Sequence, residues 1–285
     1  MKVNILLLFL AVALCSCKKE NDGIIGTEQE RLSNLSYGTD ARQKMDVYLP
    51  AYRTESTPLV VLLHGGSWIS GNKEDVQFIQ AALQQQGIAS VNMNYRYASA
   101  TNHYEGMMAD VAAALAFVRN HADEWRVRDK GVVLLGVSAG AHMGLLYAYG
   151  YKKPGEINAV ISLAGPGSFS SEFLGLAALS SLKQAIEYMA GAAITALPLN
   201  SRFTEASPAA KISNVPTLMV HGTADLTVPY QQSVILQAML TGKGVTNKLV
   251  TIEGAGHDLG LAVESNRVRI LGEVISWINN YSNAD

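Results

Sequence analysis

The chain has 285 residues, a formal net charge of −2 and a hydrophobic share of 48%. That is long enough for one large α/β domain with a well-buried core or for two small ones, and the composition is that of a globular protein. The balanced charge and the lack of a dense basic cluster exclude nucleic acid as a partner.

In chain order, Lys2 is followed by an apolar run from Ile5 to Leu14. This is about the length of a signal-peptide core and well short of the ~20 residues that a membrane-spanning helix needs. Leu14-Cys15-Ser16-Cys17 resembles a bacterial lipobox, with an aliphatic residue three positions before Cys17 and a small one directly before it. The resemblance implies that residues 1–16 are a signal peptide, that Cys17 is acylated, and that the protein is exported and lipid-anchored in the bacterial envelope at the outer membrane. Ordinary secretion without lipid is the alternative. Both cysteines of the chain lie here, so disulfides contribute nothing to the rest. Lys18-Lys19-Glu20-Asn21-Asp22 and the polar stretch to Ser36 read as a flexible tether over 17–36. A short charged segment after the lipid cysteine also resembles surface-export signals of some Gram-negative lipoproteins.

The folded part begins at about residue 37. Lys44 to Leu49 alternates apolar and polar residues like a half-buried edge strand, and Leu59 to Leu63 is a continuous apolar run suited to a strand covered on both faces. Lys73 to Gln86 has helical spacing (Val76, Ile79, Leu83), and Ile88 to Asn94 reads as a strand. Met107, Val111, Leu115 and Val118 form a helix stripe; Val132 to Val137 is the next strand and 139–149 the next helix. Strands at 157–163, 217–222 and 248–253 and a helix at 230–241 follow, then a last helix carrying Val268, Leu271, Ile275 and Ile278. This alternation predicts an α/β fold, a mostly parallel central sheet with helices on both faces. Between Gly165 and Pro216 the rhythm breaks. Leu174 to Ala196 is helical in pattern with no paired strand, so 166–212 reads as a short lid insertion. Phe169, Phe173 and Tyr188 either line a pocket there or pack the lid down.

Gly136-Val137-Ser138-Ala139-Gly140 stands between a strand and a helix. A serine at such a sharp turn has the form of a nucleophile elbow, whose strained backbone needs minimal side chains two residues to either side. A serine hydroxyl also needs a base within reach and a third group to orient that base. Asp225 follows the strand 217–222 through a short turn, and His257 follows the strand 248–253 through a glycine-rich loop. All three fall at the carboxyl edge of the parallel sheet, where such folds place ligands. Asp225 could instead cap the helix after it. Asp258 and Glu253 are rival acids too close to His257 in sequence. His142 is expected to pack within the helix that follows the elbow, and His103, His121 and His221 to be surface or structural. Donors for a developing oxyanion are expected from the backbone N–H of Ala139 and from the loop His64-Gly65-Gly66-Ser67-Trp68.

With these motifs, residues 40–285 resemble the α/β-hydrolase superfamily, in particular the His-Gly-Gly branch of carboxylesterases related to hormone-sensitive lipase. Gly71-Asn72-Lys73, Asn94-Tyr95-Arg96 and Ser207-Pro208 ahead of Val215-Pro216 share that resemblance. It implies catalytic Ser138, Asp225 and His257, and oxyanion N–H groups from Gly66, Ser67 and Ala139. Many members have a third glycine where this chain has Ser67. The missing large N-terminal cap is similar to small bacterial esterases, including acetyl- and feruloyl-esterase-like enzymes. The implied activity is serine-dependent hydrolysis of short acyl or aryl-acyl esters, with a small molecule or a polysaccharide as substrate and no metal or cofactor. His-Gly-Gly-Ser-Trp also resembles the oxyanion loop of arylformamidases, and prolyl-peptidase-like enzymes share the elbow. A non-catalytic glycan-binding lipoprotein on a degenerate hydrolase fold is the reading from another class.

Overall fold

The computed structural model describes residues 26–177, 181–195 and 198–282; the expected signal peptide, Cys17 and the first part of the tether lie outside them. The strands are β1 (Glu30–Ser36), β2 (Lys44–Leu49), β3 (Leu59–Leu63), β4 (Ala89–Met93), β5 (Val132–Val137), β6 (Ile157–Leu163), β7 (Thr217–Gly222) and β8 (Asn247–Ile252). Among the described residues they form one sheet in the order β1-β2-β4-β3-β5-β6-β7-β8. β1, β2 and β4 pair antiparallel, and every pairing from β4 through β8 is parallel. The helices are α1 (Gln77–Gln85), α2 (Tyr104–Trp125), α3 (Ala139–Gly150), α4 (Ser171–Ala177), α5 (Lys183–Ala190), α6 (Ser201–Glu205), α7 (Gln231–Gly242) and α8 (Glu264–Tyr281).

The central strands divide their side chains between two apolar layers. In β3, Leu59, Val61 and Leu63 pack with residues of α2, α3 and α7, whereas Val60 and Leu62 pack with α1 and α8. β5 repeats this, with Val132 and Leu134 on the first face and Val133 and Leu135 on the second. Both strands are buried along nearly their whole length, as parallel strands with helices on both faces must be. Burying one such side chain is worth about 1.5–3 kcal/mol, which makes β3 and β5 a rigid base for the loops that leave their carboxyl ends. No helix among the described residues is long and apolar enough to cross a membrane.

Four expectations need correction. The last part of the expected tether is a strand: Glu30–Ser36 pairs with β2, with a register shift between Leu32 and Leu35 where Asn34 takes φ 58°. Main-chain hydrogen bonds hold it, and only Leu32 and Leu35 lean on the core, so no apolar pattern announces it. β2 is consequently not an edge, and Met45 to Leu49 are buried. Its apparent polar face arises from Asp46, which is buried because Lys73 pairs with it at 2.7 Å and the Asn34 N–H donates to it at 2.7 Å. In α8 the core face is Ile270, Val274, Trp277 and Ile278, while Val268 is exposed. Finally, the helical pattern at 174–196 is not one helix: α4 ends at Ala177, and α5 ends where Gly191 enters the left-handed region at φ 70°.

Candidate active site

Ser138 sits between β5 and α3 with φ 53° and ψ −117°, a conformation costing about 1–3 kcal/mol for a non-glycine residue. The turn survives because the chain around it is bound tightly. The Ser138 N–H donates to the Leu163 carbonyl at 2.8 Å, and the Ser138 carbonyl accepts from His142 N–H at 3.0 Å. Helix α3 also crosses the sheet with no room to spare: a Cβ on Gly140 would lie 2.1 Å from the Leu63 carbonyl oxygen, and one on Gly136 would lie 2.2 Å from that of Gly140. The glycines flanking the serine are therefore a steric requirement of the elbow.

The structure brings together the three residues singled out in the sequence. His257 Nε2 lies 2.9 Å from Ser138 Oγ, and His257 Nδ1 lies 2.7 Å from Asp225 Oδ2. The loops after β7 and β8 are tied to one another, Ala224 N–H donating to the Ala255 carbonyl at 2.9 Å, so the acid and the imidazole are held in register. Asp225 is buried, which alone would raise its pKa. Hydrogen bonds from His221, His257 and the Val228 N–H outweigh this and hold the carboxyl well below the usual carboxylate range. Its Oδ1 accepts from the N–H groups of Thr227 (2.8 Å) and Val228 (2.9 Å). An ionised Asp225 is acceptor only, so Nδ1 of His257 carries the proton and Nε2 is free to accept from the serine hydroxyl. The rival acids do not reach the imidazole. Asp258 accepts from the Gly260 N–H and Glu253 from the Thr223 hydroxyl.

The loop after β3 turns back beside the serine. Gly66 has φ 113°, Ser67 φ 50° and Trp68 φ 62°. A Cβ on Gly66 would lie 2.2 Å from the Ser70 carbonyl oxygen, whereas Ser67, in place of a third glycine, accepts a left-handed backbone. The loop is closed by Ser70 N–H to the Gly66 carbonyl at 2.9 Å and Ala98 N–H to the Trp68 carbonyl at 2.9 Å. Among the described residues, the N–H groups of Gly66 and Ser67 have no protein acceptor, and Ala139 N–H belongs to the unsatisfied first turn of α3. Ser67 and Ala139 line, with Ser138, a small cavity whose apolar wall includes Trp68, Phe173, Ile186 and Val228. Of Phe169, Phe173 and Tyr188, Phe173 lines this cavity. Phe169 packs behind it, its ring 5.1 Å from His142 and 6.0 Å from Trp68, and Tyr188 leans on the core.

Two supports escaped the sequence reading. Arg42 donates to the carbonyls of Tyr95 (2.8 Å) and Gly71 (3.1 Å) and to Asn72 Oδ1 (3.0 Å), and its guanidinium lies over the Tyr97 ring at 3.7 Å. It also faces His64 Nε2 at 3.4 Å. Burial, together with the nearby Arg42 charge, lowers the His64 pKa to about 4, so the ring stays neutral and its Nδ1–H donates to the Gly65 carbonyl at 2.6 Å. Nothing in the spacing around Arg42 signals a role, because its partners come from loops far along the chain. The second support is His221, expected to be merely surface or structural. It is fully buried, and its Nε2 faces two acceptors, the Val228 carbonyl at 2.8 Å and Asp225 Oδ2 at 3.1 Å, so that nitrogen carries a proton. Its Nδ1 meets Ser233 Oγ at 2.7 Å. The position of His221 four residues before Asp225, with a partner hydroxyl in α7, was the signal available.

The other histidines are structural. His142 accepts from the Trp68 indole N–H at 3.1 Å and donates to the Ala206 carbonyl at 2.8 Å, and burial lowers its pKa to about 4. His103 bonds the Tyr188 carbonyl, and His121 stacks with Phe117 and Trp125. Among the described residues no cluster of His, Cys, Asp or Glu could hold a metal ion.

Comparison with known proteins identifies the family and the fold. A family model described as BD-FAE matches residues 45–240. A probable isoprenylcysteine alpha-carbonyl methylesterase of Arabidopsis thaliana is 24% identical over 246 residues, 79% of this chain and 50% of that protein. A kynurenine formamidase of Salmo salar is 32% identical over 126 residues, 42% of this chain and 41% of that protein. The chain thus spans about half the length of the first relative and less of the second. Among solved structures, a truncated form of a carbohydrate esterase from gut microbiota superposes with a TM-score of 0.69 at 19% identity, over 90% of this chain and 98% of that one. That match identifies the shared α/β-hydrolase fold.

Proposed function

The chain belongs to the BD-FAE family, and from that membership and the hydrogen-bonded line of Ser138, His257 and Asp225 we infer that it hydrolyses carboxylic esters through an acyl-serine intermediate. The 2.9 Å contact between Ser138 Oγ and His257 Nε2 is the observation that carries this reading. As Ser138 Oγ attacks the ester carbonyl, its proton passes to His257 Nε2, and the ionised Asp225 stabilises the imidazolium that forms. The carbonyl oxygen, now negative, turns to the N–H groups of Gly66, Ser67 and Ala139. Donors already in place cost no reorganisation during the step, and each is worth about 10²–10³ in rate. The imidazolium then protonates the departing alkoxide, leaving the acyl group on Ser138. Water repeats the cycle, its proton taken by His257, and releases the acid. The residues supply every proton transfer, and the scheme calls for no cofactor.

The substrate class is a short acyl ester. The cavity beside Ser138 is small and closed by Trp68, Phe173 and Ile186, and helices α4 to α6 are the lid above it. The match to a carbohydrate esterase supports an acylated polysaccharide as the natural ester. Leu14-Cys15-Ser16-Cys17 supports export and a lipid anchor at Cys17, which would hold such an enzyme in the outer membrane. The formamidase relative favours one second reading, cleavage of an aryl formamide by the same serine. Initial rates on p-nitrophenyl acetate and on N-formylkynurenine decide between them. The ester reading expects the acetate to have the higher kcat/KM. A higher kcat/KM on N-formylkynurenine would transfer the assignment to the formamide.

A further inference from the structure

A second, shallow cavity lies directly beyond the one at Ser138. Phe173 lines both. Val228 lines the inner cavity and its chain neighbour Pro229 the outer one, so the partition between them consists of the Phe173 ring and this stretch of chain. Phe173 is only 6% exposed and packs on Phe169 at 5.9 Å, which makes it a fixed wall. The outer cavity sets an apolar side of Phe173, Pro229 and Ile235 against the exposed polar residues Ser170, Glu172 and Gln231, and it opens to solvent past them and half-exposed Ile235. It is also braced: Gln232 Oε1 accepts from the N–H groups of Gly167 (3.0 Å) and Ser168 (2.9 Å), tying the start of α7 to the segment that leads into α4.

The leaving alcohol must lie beside His257 Nε2, the atom that protonates it. His257 lies outside the lining of the inner cavity, which holds Ser138 and the oxyanion residues Ser67 and Ala139. The inner cavity therefore takes the acyl group that stays on the serine, and a lengthening acyl chain runs towards Phe173. We propose that Phe173 sets the acyl-length limit of this enzyme, and that the cavity beyond it is a latent subsite for longer alkyl acyl chains.

This rests on the ester-hydrolase reading, and the test separates the two. The kcat/KM of wild type and Phe173→Ala is measured on p-nitrophenyl esters from acetate to decanoate. Wild type should favour acetate and butyrate. In Phe173→Ala the ratio of octanoate to acetate should rise at least about tenfold, the scale on which hydrophobic pockets discriminate chain length. Phe173→Leu, which keeps more of the packing, should give a smaller rise and serves if the alanine variant does not fold. Adding Ile235→Trp, at a half-exposed position that lines only the outer cavity, should cancel the gain in either background. An unchanged ratio in folded Phe173 variants overturns the proposal while leaving the ester reading intact. A gain that Ile235→Trp does not reverse overturns the outer cavity as the receiving site. No turnover of any ester by folded wild type overturns both readings.

Discussion

His221 gives the catalytic carboxylate a second hydrogen-bond donor. Asp225 Oδ2 is shared between His257 Nδ1 at 2.7 Å and His221 Nε2 at 3.1 Å, and His221 is itself fixed by Val228 and Ser233. A charge-assisted hydrogen bond of this kind is worth about 1.5–3 kcal/mol. Its loss would leave Asp225 a more basic carboxylate and, with one of the donors that fix it gone, less well placed against His257. In His221→Asn, kcat/KM should fall by about 10–100-fold and the acid limb of its pH profile should move to higher pH. A loss of activity with the limb unmoved would reduce His221 to a packing residue. Ser138 was recognisable because its demands are local: a strand, two glycines and a helix within a few residues. His221 was not, because its role depends on where β7 places it relative to α7.

At the scale of elements, the oxyanion loop depends on a residue far from it in sequence. Arg42 precedes β2, yet it holds the carbonyls of Tyr95 and Gly71 and faces the His64 ring, so it joins the entry and the exit of the loop. Replacing it by Leu removes those donors and takes from the carbonyl of buried Tyr95 its side-chain partner, while that of Gly71 keeps the Tyr97 hydroxyl. The expected result is a fall in kcat of about tenfold with KM little changed, since the loop acts on the transition state. A change confined to KM would show that Arg42 serves substrate binding instead. The elements easiest to read were the buried parallel strands and the helices between them, whose apolar runs and spacings follow from packing on both sides of a sheet. β1 was obscure because it is held by its main chain, and β2 was misjudged because a buried Asp46–Lys73 pair imitates a solvent-facing residue. The face of α8 was off by a fraction of a turn, since Trp277 and Val274 face the sheet and Val268 does not. The region between β6 and β7 was legible as an interruption, but not in its internal helices, because they pack on the finished domain rather than on one another's sequence pattern.

For the whole molecule, buried imidazoles make stability depend on pH. His64 and His142 are both fully buried, with pKa lowered to about 4 from the ordinary 6.5. Between those values the unfolded chain binds protons that the folded chain refuses, so stability is fully present above about pH 6.5 and is lost as the pH falls towards 4. By pH 5 the loss amounts to about 2 kcal/mol for each histidine. Asp225, whose pKa is lowered in the fold, adds a further loss at still lower pH. Urea unfolding at pH 7 and pH 5 should therefore show a clearly lower midpoint at pH 5, and equal midpoints would mean that these histidines are accessible to protons in the folded state. Such a dependence leaves the domain most robust near neutrality.

The most direct test of the central claim is to treat the folded protein with a fluorophosphonate and locate the adduct by peptide mass mapping. One phosphonyl group on Ser138, lost together with ester hydrolysis in Ser138→Ala, is the expected result. A folded wild-type protein that takes up no label, or takes it up at another residue, would contradict Ser138 as the nucleophile.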